Sequence, residues 1–188
     1  MIIICYDGSE NAQAATDQAI RLFHGVPATV LTVWGPDAET LMDSELGLGS
    51  GFGVGLKRTN DTAHVDAVLL ERAQRTAKEG AQRLRAAGMD AQSRVEERNG
   101  SIARTVLAVA ERVNAQAVVV GTRGRGTAKS ALLGSVSREL VQHADRAVVV
   151  VPSAALARHG ESQLRTRPER RPRSAGRQHH AVQPGSES

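Results

Sequence analysis

A buried, strand-like run ends at Gly121, and the residue types that follow it suit a phosphate. Gly121-Thr122-Arg123-Gly124 is followed by nine residues and then by Gly134-Ser135-Val136-Ser137. Glycine lets a backbone approach a ligand closely and take positive φ. Gly134-Ser135 opens a helical pattern, and a helix N-terminus offers unpaired N–H groups and the positive end of a dipole to an anion. Ser135 and Ser137 add hydroxyls, and Arg123, Arg125 and Lys129 add positive charge in the same loop. The segment reads as a phosphate cradle, or else as a surface loop whose glycines only turn the chain. A second nucleotide reading lies inside it. Gly124-Arg125-Gly126-Thr127-Ala128-Lys129-Ser130 nearly matches a P-loop, with Ala128 in place of the second glycine. A P-loop also needs its Lys and Ser to open the helix directly, and here Ala131-Leu132-Leu133 run on to another glycine.

Asp7 ends the first apolar run and is followed by Gly8-Ser9. It is either a ligand contact or a turn-forming residue that accepts from its own backbone. No catalytic constellation emerges beside it. Ser135 and Ser137 have no His and Asp partners at a known spacing, and His24, His64 and His143 are scattered. His179-His180 lie in the tail, where a metal would be adventitious. Cys5, inside an apolar run, reads as an inert core thiol.

These residues need elements to position them. Ile2-Ile3-Ile4-Cys5-Tyr6, Ala117 to Val120 and Ala147 to Val151 are continuous apolar runs, as in strands buried on both faces of a parallel sheet. Ala28 to Trp34 is a further strand, and Asp90 to Glu96 a weaker, more exposed one. Helical spacing lies between them, over about 10–24 after Ser9 as N-cap, over 61–87 with Gly88 as C-cap, from Ser101 to about Asn114, and over Ser135 to Ala144. The alternation predicts an α/β fold: one domain, a five-stranded parallel sheet of order 3-2-1-4-5, helices on both faces. The order reverses between strands 1 and 4. Open α/β sheets bind ligands at that point, which brings Asp7 beside the loop after Gly121.

Composition narrows the classes further. The chain has 188 residues, 40% of them apolar but only 2% aromatic, so a stacking platform for single-stranded nucleic acid is not expected. One cysteine excludes an internal disulfide and a multi-cysteine zinc site. No stretch nears the roughly 20 apolar residues of a membrane helix, and Met1 to Asp7 lacks the basic start of a signal peptide. A cytoplasmic protein without membrane or nucleic-acid partners is expected. The net charge of +4 belongs wholly to residues 153–188, which hold seven Arg against three Glu. That segment has no apolar period and is expected to be a disordered basic tail beyond a domain at 1–152. An arginine-rich tail could tether an anionic polymer or surface, though such runs are usually solvated chain. Residues 35–60 carry six glycines without period and are expected to form a mobile loop.

The strand, Gly-x2-Gly-x9-Gly-Ser, helix and strand of 117–152 resemble the nucleotide-binding signature of the universal stress protein family. The opening Ile-Ile-Ile-Cys-Tyr-Asp-Gly-Ser-Glu resembles that family's first strand and its Asp. The likeness spans about 1–153, and the tail lies outside it. The resemblance implies a stress-response or regulatory protein that binds ATP, or AMP or ADP, with Mg²⁺. It implies that Asp7 and the backbone at Cys5 and Tyr6 line the ribose and adenine side. Val33 would touch adenine through its backbone, although a plain core role suits it equally. Gly121, Arg123 and Gly124 would form the near wall, and Gly134, Ser135, Val136 and Ser137 would hold phosphates. It further implies a homodimer paired through Ala147 to Val151. No general base is placed by the motif, so little or no hydrolysis is expected. The alternatives are a weak ATPase or phosphotransferase using Asp7, and a protein-interaction module independent of nucleotide.

Overall fold

The computed structural model describes residues 1–35, 61–124 and 133–152, apart from the side chains of 61–64. The expectations for the loop at 35–60 and the tail at 153–188 therefore lie outside the described residues but for Gly35, as does the P-loop-like segment from 125 onward.

Among the described residues, five strands and four helices alternate along the chain. They are β1 (Ile2–Cys5), α1 (Glu10–Leu22), β2 (Ala28–Trp34), α2 (Asp61–Ala86), β3 (Ala91–Glu97), α3 (Ile102–Arg112), β4 (Ala117–Gly121), α4 (Ser135–His143) and β5 (Ala147–Val151). All neighbours in the sheet run parallel, in the order β3-β2-β1-β4-β5. The expected fold class and order are thus what the chain adopts, with element ends shifted by one or two residues.

The run of three isoleucines in β1 reflects burial on both faces, because successive side chains point to opposite sides of a sheet. Ile2 and Ile4 join Val30, Val119, Ala15, Ala19, Ala81 and Leu84 on one face. Ile3 joins Leu31, Val118, Val106, Val109 and Leu140 on the other. Alanine-rich helix faces let α1 and α2 lie close to the strands, and a core poor in rings results. Gly80 of α2 makes one of the two tightest approaches among the described glycines. A Cβ there would stand 2.8 Å from Val30 Cγ1 and 2.9 Å from the Tyr6 ring.

The helix ends follow their residues. Ser9 and Ser101 cap α1 and α3, accepting from the N–H groups of Ala12 and Arg104. Gly88, two residues past α2, takes φ +83, as expected of a C-cap glycine. Arg146 closes the far end of α3, donating to the carbonyls of Ala110 and Ala115 at 2.7 and 2.9 Å. The two sheet edges differ in chemistry. β3 carries Arg94, Glu96 and Glu97, whereas β5 is an alanine and four valines.

Candidate functional site

The C-terminal ends of β1 and β4 lie side by side, and the sequence-predicted residues gather there. Asp7 follows β1 in a turn where Gly8 takes φ +81. Asp7 Oδ1 accepts from the Ser9 N–H at 3.0 Å and from the Ser9 hydroxyl at 2.6 Å. The turn-forming role is therefore real, and it fixes the carboxylate. The other oxygen, Oδ2, faces Gly124, where an added Cβ would stand 2.9 Å away. Asp7 thus meets the loop after β4, as the topology requires.

The loop after β4 is closed on itself at Thr122. Its carbonyl accepts from the Gly134 N–H at 2.7 Å and lies 3.0 Å from the Ser137 hydroxyl. Ser137 also has the Gly134 carbonyl at 3.1 Å, and its single proton serves one acceptor at a time. Gly134 is the N-cap of α4 and brings no side chain to the cap. The first N–H groups of α4 thus have no acceptor from the cap residue's side chain, the arrangement that suits an anion. Ser135 is exposed here, Val136 and Arg123 are half-buried, and Ser137 is buried.

Gly121 has another reason to be glycine. A Cβ there would stand 2.8 Å from the Asn11 carbonyl oxygen, so the first turn of α1 excludes a side chain.

Cys5 and Tyr6 contribute differently from one another. The Tyr6 N–H donates to Leu31 and its carbonyl accepts from the Thr32 hydroxyl at 2.7 Å, so both backbone groups serve β2. Its ring is buried and its hydroxyl donates to Glu79 at 2.7 Å. Burial and the Glu79 carboxylate push the phenol well above its ordinary range. Burial also pushes the Cys5 thiol up to about 12, with the Asp7 charge adding to it. Cys5, Val33 and Val136 pack against the same apolar cluster. Val33 is half-buried near the end of β2, one residue before Trp34, whose carbonyl accepts from Arg98 N–H at 2.7 Å.

Sequence reasoning passed over Thr122, Thr32 and Asn11, whose roles come from backbone contacts that residue type does not announce. It also passed over Glu139 of α4, which accepts from the Ser101 hydroxyl and so ties α4 to the start of α3. Among the described residues no three His, Cys, Asp or Glu side chains gather as a metal site would need.

A family described as the universal stress protein family matches residues 1–152. Solved structures agree on the fold. The universal stress protein from Archaeoglobus fulgidus is 20% identical with a TM-score of 0.56, over 80% of this chain and 96% of that one. The same organism's protein in complex with dAMP is 20% identical with a TM-score of 0.52, over 80% and 95%. A universal stress protein family protein from Arabidopsis thaliana with AMP bound is 11% identical with a TM-score of 0.54, over 82% and 92%. No curated protein sequence matches the chain.

Proposed function

The chain belongs to the universal stress protein family, and on that footing we propose that it binds an adenine nucleotide at the junction of β1, β4 and α4. The observation that carries this is the meeting of Asp7 with Gly124 beside a helix N-terminus capped only by glycine. Relatives of the same fold holding AMP and dAMP support it. In this reading the α4 N–H groups and Ser135 take phosphate oxygens. Arg123 supplies charge, Gly124 leaves room for the ligand, and Gly121 and Gly134 let the loop close against α1 and Thr122. Asp7 Oδ2 accepts from ribose hydroxyls. Cys5 and Val33 form the apolar side toward adenine, and Val136 stays with the α4 N–H groups at the phosphates. Ser137 shapes the turn through Thr122.

The proposed ligand is ATP with Mg²⁺, with AMP and ADP also bound. Mg²⁺ would sit mainly on phosphate oxygens, as it commonly does, with Asp7 a carboxylate beside the loop. Little or no hydrolysis is proposed, since Asp7 Oδ1 is held by Ser9 and the Gly-x2-Gly-x9-Gly-Ser motif places no general base. The role is that of a cytoplasmic stress-response or regulatory binder. No described helix is long and apolar enough to cross a membrane.

A homodimer through β5 belongs to the same proposal. Charged β3 discourages pairing, whereas the valine-rich β5 edge invites it. Residues 153–188 lie beyond the matched span and are proposed to be dispensable for fold and affinity.

Calorimetric titration of the full chain with ATP and Mg²⁺, and with AMP, tests the central reading. Saturable binding at one site per chain is expected, and no heat with either ligand would end it.

A further inference from the structure

Thr122 sits in the phosphate-side turn with one polar atom unaccounted for. Its N–H donates to the Val151 carbonyl at 2.9 Å, and its own carbonyl serves Gly134 and Ser137. Its hydroxyl is the one buried side-chain polar atom among the described residues that has no hydrogen-bond partner. A desolvated hydroxyl left unpaired is costly, and valine would fill the same volume without that cost. The residue as a whole is only half-buried, so other atoms of Thr122 reach the surface while the hydroxyl does not. On a threonine, Oγ1 and Cγ2 are close in size. Rotation of χ1 by one staggered well carries Oγ1 to the place of Cγ2, while Cγ2 moves to that of the Cβ hydrogen. The residue is one hydrogen bond from Gly134, at the N-terminus of α4.

We infer that Thr122 is a phosphate-contact residue: its hydroxyl, unpaired by the protein itself, turns to donate to a phosphate oxygen of a nucleotide bound at the α4 N-terminus. The inference rests on the nucleotide reading above and adds a residue and a ligand group to it. Thr122 then tells a nucleotide from a nucleoside, because only the nucleotide brings an acceptor for the hydroxyl.

The test titrates wild type, Thr122→Val and Thr122→Ser, as full chains, with AMP and with adenosine, and melts each without ligand. Thr122→Val is expected to melt at or above wild type and to bind adenosine unchanged. Its AMP affinity should fall about tenfold, as loss of a hydrogen bond to a charged group implies. Thr122→Ser, which keeps the hydroxyl, should bind AMP as wild type does. Equal AMP affinity in wild type and Thr122→Val overturns the inference while the nucleotide reading stands. An equal loss in the valine and serine variants does the same. A melting point of Thr122→Val well below wild type would mean that water already pairs the hydroxyl, and also overturns it. Wild type that binds neither ligand overturns the nucleotide reading, and the inference with it.

Discussion

The Val151 carbonyl accepts the Thr122 N–H at 2.9 Å, and this bond sets the facing of the whole edge strand. In a strand the N–H and C=O of one residue point the same way, and those of the next point oppositely. Val151, Val149 and Ala147 therefore turn their backbone groups toward β4, and Val148 and Val150 turn theirs outward. Proline at an outward position removes a pairing donor and leaves the β4 ladder intact. Val150→Pro is expected to keep its circular dichroism and to become a monomer by light scattering. A dimer that survives the substitution would rule out pairing through β5.

Gly124 has no positive φ to protect, so its glycine is explained by space alone. Gly124→Ala should drive the Asp7 carboxylate off its place, since the new Cβ would lie 2.9 Å from Oδ2 while Ser9 holds Oδ1. The position is exposed, so stability should change by less than about 1 kcal/mol. Nucleotide affinity should fall at least several-fold in calorimetry. Undiminished affinity would remove Asp7 and Gly124 from the site.

Gly80→Ala sets two effects against each other. Alanine gains about 1 kcal/mol of helix propensity. Overpacking a tight core typically costs about 1–3 kcal/mol, and here the Cβ would lie under 3 Å from both Val30 and Tyr6. Crowding should win, lowering the urea midpoint by an amount worth roughly 1 kcal/mol. A raised midpoint would show that Tyr6 and Val30 can move aside.

Cys5 gives a pH prediction. Its thiol ionises near 9.0 ordinarily and near 12 in the fold. The group's contribution to stability is therefore full below pH 9 and falls away as pH rises toward 12. Alkylation needs the thiolate. Native protein at pH 8 should react with iodoacetamide far more slowly than protein in urea, followed by mass spectrometry. Equal rates would mean that Cys5 is not shielded.

The fold was legible because its signals are local and redundant. Ile2 to Cys5 and Ala117 to Gly121 are buried runs that only a covered parallel sheet explains, and Ser9, Gly88 and Ser101 punctuate the helices between them; Ala147 to Val151 reads the same way but is an edge strand in which only Val151 is buried. The meeting of Asp7 and Gly124 was legible from topology alone. Less legible was what each residue does there. Asp7 looked like two alternatives, and Oδ1 takes the turn while Oδ2 faces the loop. Gly121 read as ligand space but is demanded by Asn11 of α1, a contact across 110 positions of chain that no spacing rule reaches. Thr122 carried no signal at all, because its importance lies in a carbonyl and a desolvated hydroxyl.

Trp34, at the end of β2 beside Val33, is the chain's only tryptophan, and Tyr6 its only tyrosine. The protein is therefore optically quiet, and its single indole stands on the rim where the adenine side of the site is proposed. Emission from that indole is a built-in reporter of occupancy, with no second fluorophore of its kind to dilute the change. The same sparseness makes the ultraviolet spectrum of the purified protein informative, since an adenine carried through purification would outweigh the two chromophores that the chain itself provides.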